Sequence, residues 1–437
     1  MKAKMNKILL VLCLAFCSVL AKNEIYDGHA LYQIDLQTAE QGSFFAELEH
    51  RLNLDVWAHG GLGDPATVLV PKAARSLLQD GLGAAGIGYR LAVENVKEEL
   101  DLEEKLLSEA AAKSNRTSRF GLPFDTIHRY AAVDAYLVEL ASRYPNLVTV
   151  VSAGRSFEGR DIKYLKISTT NFQDRSKPIV YMQSLLHARE WVTLPATLYA
   201  IEKLVIDVQE QDLLQNIDWI ILPIANPDGY EFTHTSSRYW RKNRATGYMI
   251  GNWCSGVDLN RNFGFQWSEA SSASVCSETF HGSSAFSEPE AAIIRDITLA
   301  YGDRIELFLD IHSFGSWMLY GYGDGQLPPN GLIIHMVGVR MAQAIDAVKW
   351  PSNRNYVVGN SALLLYPASG TTSDYAQSLG IPLAYTYELP AYRNNYSTLN
   401  GFLVDPDFIE QAGFETWQGI KEGARYAADS YRARNKK

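Results

Sequence analysis

Cysteine is scarce in this chain. Only four occur among 437 residues, too few for a cross-linked miniature scaffold, so the fold must rest on an apolar core. Long apolar runs are lacking at the start of the chain: Ile8 to Leu20 has 13 residues, short of the ~20 that a helix needs to cross the hydrocarbon. Positive charge is in deficit, with 40 Lys and Arg against 49 Asp and Glu and a formal net charge of -9, which argues against nucleic acid as a partner. Internal repeats and low-complexity tracts are absent, which excludes a solenoid or a linker array.

What is present begins with Lys2, Lys4 and Lys7 ahead of that apolar run, which closes on Val19, Leu20 and Ala21. Basic residues, a short apolar stretch and small residues in that order describe a cleaved secretory signal over residues 1–21, hence a secreted, extracellular product. A membrane anchor is the alternative, and the run is short for one. Cys13 and Cys17 leave with the signal, and Cys254 and Cys276 remain. In an oxidising compartment two cysteines most simply form one disulfide, which pins a loop rather than building the fold; two free thiols are the other possibility. With 47% hydrophobic and 20% charged residues, the rest reads as globular.

Residues 22–116 carry 9 basic and 16 acidic side chains and their own alternating pattern. Ala30 to Leu36, Leu54 to Trp57, Ala66 to Val70 and the set Ile87, Tyr89, Leu91 and Val93 predict strands, the last set on one face; helices are expected at Phe45 to Leu52 and Ala73 to Gln79. The order β-α-β-β-α-β is that of a small α+β, ferredoxin-like domain. A helical stretch from Val96 to Ala112 then runs into Lys113, Arg116 and Arg119 among small polar residues, a linker that a trypsin-like protease could cut. Asn115 and Asn395 open glycosylation sequons. Residues 117–437 alternate apolar runs (Val148 to Val151, Tyr164 to Ile167, Ile179 to Met182, Trp219 to Leu222, Ile305 to Leu309, Leu383 to Tyr387) with amphipathic stretches, the pattern of an α/β domain.

Three of those runs deliver chemistry at their ends. His187 and Glu190 follow Ile179 to Leu186, and His312 follows Glu306 to Ile311. Strand ends are where α/β proteins place ligands, and zinc accepts imidazole and carboxylate together. A His-x-x-Glu tetrapeptide alone is a weak signal. Glu388 closes the strand Leu383 to Tyr387 and can serve as a general base, or simply be a solvated strand-end residue. Two basic clusters, one holding Arg238, Arg241 and Arg244 and the other holding Asp258, Asn260 and Arg261, could grip a carboxylate; read alone, such clusters are ordinary solvated faces.

Taken together, His187-Ala188-Arg189-Glu190-Trp191, Asn226 to Tyr230, Arg241 to Arg244, Val257 to Phe263 and Tyr366 through Glu388 resemble the A/B-type zinc metallocarboxypeptidases, from about residue 118 to the C-terminus, and the preceding segment resembles their activation domain. The resemblance implies a mixed, twisted eight-stranded sheet flanked by helices, with one Zn2+ per chain bound by His187, Glu190 and His312. It further implies that Glu388 activates water and Arg241 stabilises the oxyanion, while Asn260 and Arg261 hold the terminal carboxylate. Tyr366 becomes a lid, Arg189 lines the next subsite outward, and Asp258 orients a ligand histidine. The implied partners are peptide and protein C-termini and an activating trypsin-like protease, with the enzyme acting as a monomer.

Specificity is less settled in the sequence. The pocket-floor position seven residues past the lid is Ser373, neither the apolar residue of A-type enzymes nor the acid of B-type ones. Leu319, Gly323 and Thr386 match A-type positions and no acid stands at Ser361 or Thr371, so neutral or hydrophobic C-terminal residues are expected; a basic side chain would lack a partner there. Phe314 stands where a tyrosine is common, and Pro390 to Asn400 forms a longer loop than usual. The alternatives are specificity for Lys and Arg, and a non-catalytic peptide-binding relative.

Overall fold

The computed structural model describes residues 22–60, 65–113, 122, 126–248, 254–391, 399 and 401–435. The expected signal over residues 1–21, with Cys13 and Cys17, lies outside the described residues, as do Arg116, Arg119, Asn115 and Asn395. No described helix is long and apolar enough to cross a membrane. The chain forms two compact units: one holds the described residues up to Lys105 with Phe232–Tyr239, the other Leu106–Glu231 with Trp240–Lys437.

In the first unit, strands β1 (Ala30–Asp35), β2 (Asp55–Ala58), β3 (Ala66–Val70) and β4 (Gly88–Val93) form an antiparallel sheet in the order β2-β3-β1-β4. Helices Ala39–Leu52 and Arg75–Ala84 bury Phe45, Leu48, Leu78 and Leu82 with Tyr32 and Val68 of the sheet. The first helix starts ahead of Phe45 because Thr38 caps it, its hydroxyl accepting from the Gln41 N–H at 3.2 Å. Strand β4 lies at the sheet edge, and its Tyr89 and Leu91 remain 41% and 37% exposed.

The second unit is built on eight strands: β5 (Val148–Arg155), β6 (Asp161–Ile167), β7 (Ile179–Ser184), β8 (Asp218–Leu222), β9 (Ile305–Ser313), β10 (Trp317–Tyr320), β11 (Val357–Asn360) and β12 (Leu383–Leu389). Their order is β11-β10-β12-β9-β7-β8-β6-β5. The run β12-β9-β7-β8 is parallel, and β5 and β6 join it antiparallel, giving the mixed sheet expected. Every residue of β7, β8 and β9 is buried, which is why their sequences read as unbroken apolar runs. Helices Tyr130–Arg143, Thr193–Val205, Gly331–Asp346 and Pro406–Asn435 supply one apolar cluster; Pro289–Tyr301 and Thr372–Ser378 contribute to another. Strands β10 and β11 were not foreseen in the sequence.

Cys254 and Cys276 are bonded, the first of the two possibilities that the sequence left open. The bridge closes 22 residues, so on the chain-entropy account its loss should cost about 3 kcal/mol. A Cys254→Ala/Cys276→Ala variant is expected to unfold at correspondingly lower denaturant; a parental midpoint would show that the loop is held by its packing alone.

Candidate active site

Because β7, β9 and β12 are parallel neighbours, their C-terminal ends meet at one edge of the sheet. His187 and Glu190 follow β7, His312 is the penultimate residue of β9, and Glu388 of β12 stands in register with it. The chain leaves β7 through Leu185 at φ +53°, a left-handed conformation that costs a non-glycine residue of order 1 kcal/mol. Two bonds pin that turn: Leu185 N–H donates to Thr193 Oγ1 at 3.3 Å, and its carbonyl accepts from Asn226 N–H at 3.0 Å.

One potential donor atom from each of His187, Glu190 and His312 lies within 4.8 Å of the others, and all three residues are buried. His187 Nδ1 lies 2.8 Å from Glu190 Oε1, and His312 Nδ1 lies 2.9 Å from Glu190 Oε2. The two Nδ1 atoms are 3.0 Å apart. Two imidazole lone pairs facing each other at that distance repel unless a proton or a cation sits between them. Each ring turns its other nitrogen to a carboxylate, His187 Nε2 to Asp258 Oδ1 at 3.0 Å and His312 Nε2 to Asp310 Oδ2 at 2.8 Å. That arrangement places the proton on Nε2 and the lone pair on Nδ1, which is what a metal ligand requires. The donor set and its backing therefore fit a divalent cation such as zinc.

The electrostatics agree with that fit. Burial alone would raise the Glu190 carboxyl, but His187 and His312 outweigh it and hold it below the usual carboxylate range. Burial would lower the His312 imidazole, yet Asp310 and Glu190 hold it well above its usual value; a cation entering the cluster displaces that proton. Glu388 is half-buried in surface terms but closely hemmed in by protein, and desolvation, reinforced by Glu190, pushes its carboxyl up to about 8.

Around this cluster stand the expected cations. Arg241 donates to Asp258 Oδ2 from Nε at 3.2 Å and from Nη2 at 2.9 Å, and Asp258 also accepts from the Asn260 N–H at 3.0 Å. Arg261 donates to the Asn260 carbonyl at 2.7 Å and to the Tyr366 hydroxyl at 3.4 Å. Arg189 lies over the Phe402 ring at 4.3 Å, and Phe402 meets Phe314 edge-on at 5.0 Å. The pocket-floor candidates also converge: Leu319 pairs with Thr386 across β10 and β12, and the Ser373 and Thr386 hydroxyls are 2.9 Å apart. At Gly323 a Cβ would strike the Ala368 carbonyl, so no other residue fits there.

Sequence reasoning passed over Asp310, Thr372 and Phe402. Asp310 sits two residues before His312 on the same face of β9, so the period-two alternation of a strand could have flagged it.

A parallel-centred sheet with a buried His-Glu-His cluster and a carboxylate beside it, at one set of strand ends, has the parts of a metal-dependent hydrolase. The zinc carboxypeptidase family model matches residues 133–419, and the carboxypeptidase activation peptide model matches residues 32–103. Carboxypeptidase B of Helicoverpa zea is 44% identical over 97% of this chain and 99% of its own length. Bovine carboxypeptidase A1 is 31% identical over 94% and 96%. The crystal structure of carboxypeptidase A from Helicoverpa armigera superposes with a TM-score of 0.91 at 64% identity, covering 93% of this chain and 99% of that one. The chain belongs to the zinc carboxypeptidase family and carries that family's activation peptide. It is therefore a zymogen of a zinc-dependent peptidase acting on peptide C-termini, and the activation peptide implies proteolytic activation.

Proposed function

We propose that this chain is a secreted precursor, with a signal over residues 1–21, a prosegment over 22–116 and a catalytic domain over 117–437, released by a tryptic cut near Arg116 or Arg119. His187, Glu190 and His312 would hold one zinc ion, which when bound would supply Lewis-acid polarisation of a water molecule and the scissile carbonyl. Glu388 takes a proton from the attacking water and passes it to the departing amine. Arg241, fixed by Asp258, offers its guanidinium to the developing oxyanion. Asn260 and Arg261 grip the terminal carboxylate, Tyr366 closes over the bound residue, and Arg189 contacts the peptide further out. The observation that carries this reading is the mutual approach of the His187, Glu190 and His312 donor atoms within 4.8 Å.

The Ser373 and Thr386 hydroxyls share a hydrogen bond at 2.9 Å and form an uncharged floor beside Leu319, which suits neutral and hydrophobic C-terminal residues. A second reading, preference for Lys or Arg, draws on two observations. One is the name of the Helicoverpa zea relative, a carboxypeptidase B. The other is Asp374, next to Ser373, whose buried carboxyl is pushed up to about 6, mainly by desolvation, and accepts from the Gly323 N–H at 2.7 Å. That carboxyl already accepts from the Gly323 N–H, and the Ser373 and Thr386 side chains beside it carry no charge, so the neutral preference is the stronger of the two.

The test is a set of peptides differing only in a C-terminal Phe, Leu or Lys, given to the trypsin-activated protein. Expected are kcat/KM values for Phe and Leu at least tenfold above Lys, about 1.4 kcal/mol of discrimination, and loss of all three activities in excess chelator. A preference for Lys would install the second reading, and activity that survives chelation would reject the zinc mechanism.

A further inference from the structure

Asp310 is buried in the middle of the sheet and has three hydrogen-bond partners. Its Oδ2 meets His312 Nε2 at 2.8 Å and also accepts the hydroxyl hydrogen of Thr372; its Oδ1 accepts from Gln183 Nε2 at 2.9 Å, and the Gln183 carbonyl oxygen accepts in turn from the Tyr181 hydroxyl at 3.0 Å. Thr372 opens the helix that carries Ser373, and its N–H donates to Asn260 Oδ1 at 2.9 Å. A single carboxylate oxygen thus joins a candidate metal ligand to the residue beside the pocket floor. One bond further on is a side chain assigned to the substrate carboxylate. Asp258 backs His187 and accepts from the Asn260 N–H, and so reaches Thr372 through Asn260, whereas Asp310 bonds Thr372 directly.

We infer that Asp310 is a positioning residue: it fixes His312 for the metal and, through Thr372, holds Asn260 in place for the substrate's terminal carboxylate. The inference rests on the zinc-site reading above. His312 alone could turn about its side-chain bonds, whereas an anionic acceptor on Nε2 holds the ring plane and directs Nδ1 at the cluster. Thr372 offers its hydroxyl to Asp310 and its N–H to Asn260, so the amide of Asn260 is held indirectly by the same carboxylate.

Two measurements separate the roles. Zinc affinity is read on the full-length precursor by chelator competition, with far-ultraviolet circular dichroism confirming the fold. Asp310→Ala should weaken zinc binding about 10–100-fold. Asp310→Asn, which keeps the volume and one acceptor oxygen, should recover part of that loss and remains informative if the alanine variant does not fold. Parental affinity in either variant would overturn the metal half of the inference. Thr372→Val should leave zinc affinity at the parental value and, after activation, raise KM about fivefold, the worth of one hydrogen bond, with kcat within about twofold. An unchanged KM would overturn the substrate half. A parent that binds no zinc would instead reject the zinc-site reading itself.

Discussion

Replacing Glu388 with Gln is expected to leave one zinc per chain and near-parental substrate affinity while lowering kcat by about 10²–10⁴-fold, the usual contribution of a positioned general base. That is about 3–5 kcal/mol of barrier. The amide keeps the size of the side chain and can still hydrogen-bond, so the structural change is small, but it cannot accept a proton. The same residue sets a pH dependence. A base works only when ionised, so activity falls as pH drops through the Glu388 pKa, which burial moves up from 4.5 towards about 8. A bound divalent cation close by favours the carboxylate and draws that value back down. The acid limb of kcat/KM should therefore lie between those limits and should vanish from the residual activity of Glu388→Gln. A variant with full turnover would mean that the base is elsewhere.

His312→Ala is expected to abolish activity and to weaken zinc binding well beyond the roughly 10–100-fold that follows loss of an outer-shell partner, because it deletes a donor atom itself. It should also damage the metal-free protein. Glu190 Oε2 would keep only the Ser313 N–H, at 3.2 Å, and Asp310 would lose its cationic neighbour. Stranding buried carboxylates in this way costs about 3–5 kcal/mol. Equilibrium dialysis against zinc and a denaturant titration on the apo-protein check the two effects separately. Parental zinc stoichiometry in this variant would remove His312 from the ligand set.

The difference between what the sequence revealed and what it hid follows from how each feature is encoded. Strands β7, β8 and β9 are buried on both faces and so declare themselves as apolar runs. The residues that close such runs, His187, His312 and Glu388, stand out because a polar group ends a stretch that tolerates few. Strands β10 and β11 have four residues each and lie at one side of the sheet; Val357–Asn360 includes a glycine and an asparagine and offers no periodicity to read. Asp310 was hidden for a different reason. Inside a run that otherwise reads as core, an acid looks like an exception, and only the fold supplies the His312, Thr372 and Gln183 partners that explain it. The Ser373–Thr386 contact joins a helix to a strand 13 residues later, and no local pattern encodes such a meeting. In the prosegment, alternation located β4, whereas its place at the sheet edge is set by pairing with β1, which no local pattern encodes.

Zinc-edge anomalous scattering from a crystal of the protein addresses the central claim most directly. One strong peak per chain, enclosed by His187 Nδ1, the Glu190 carboxylate and His312 Nδ1 with Glu388 alongside, is the result this account predicts. A peak elsewhere, or one that His312 does not reach, would contradict it.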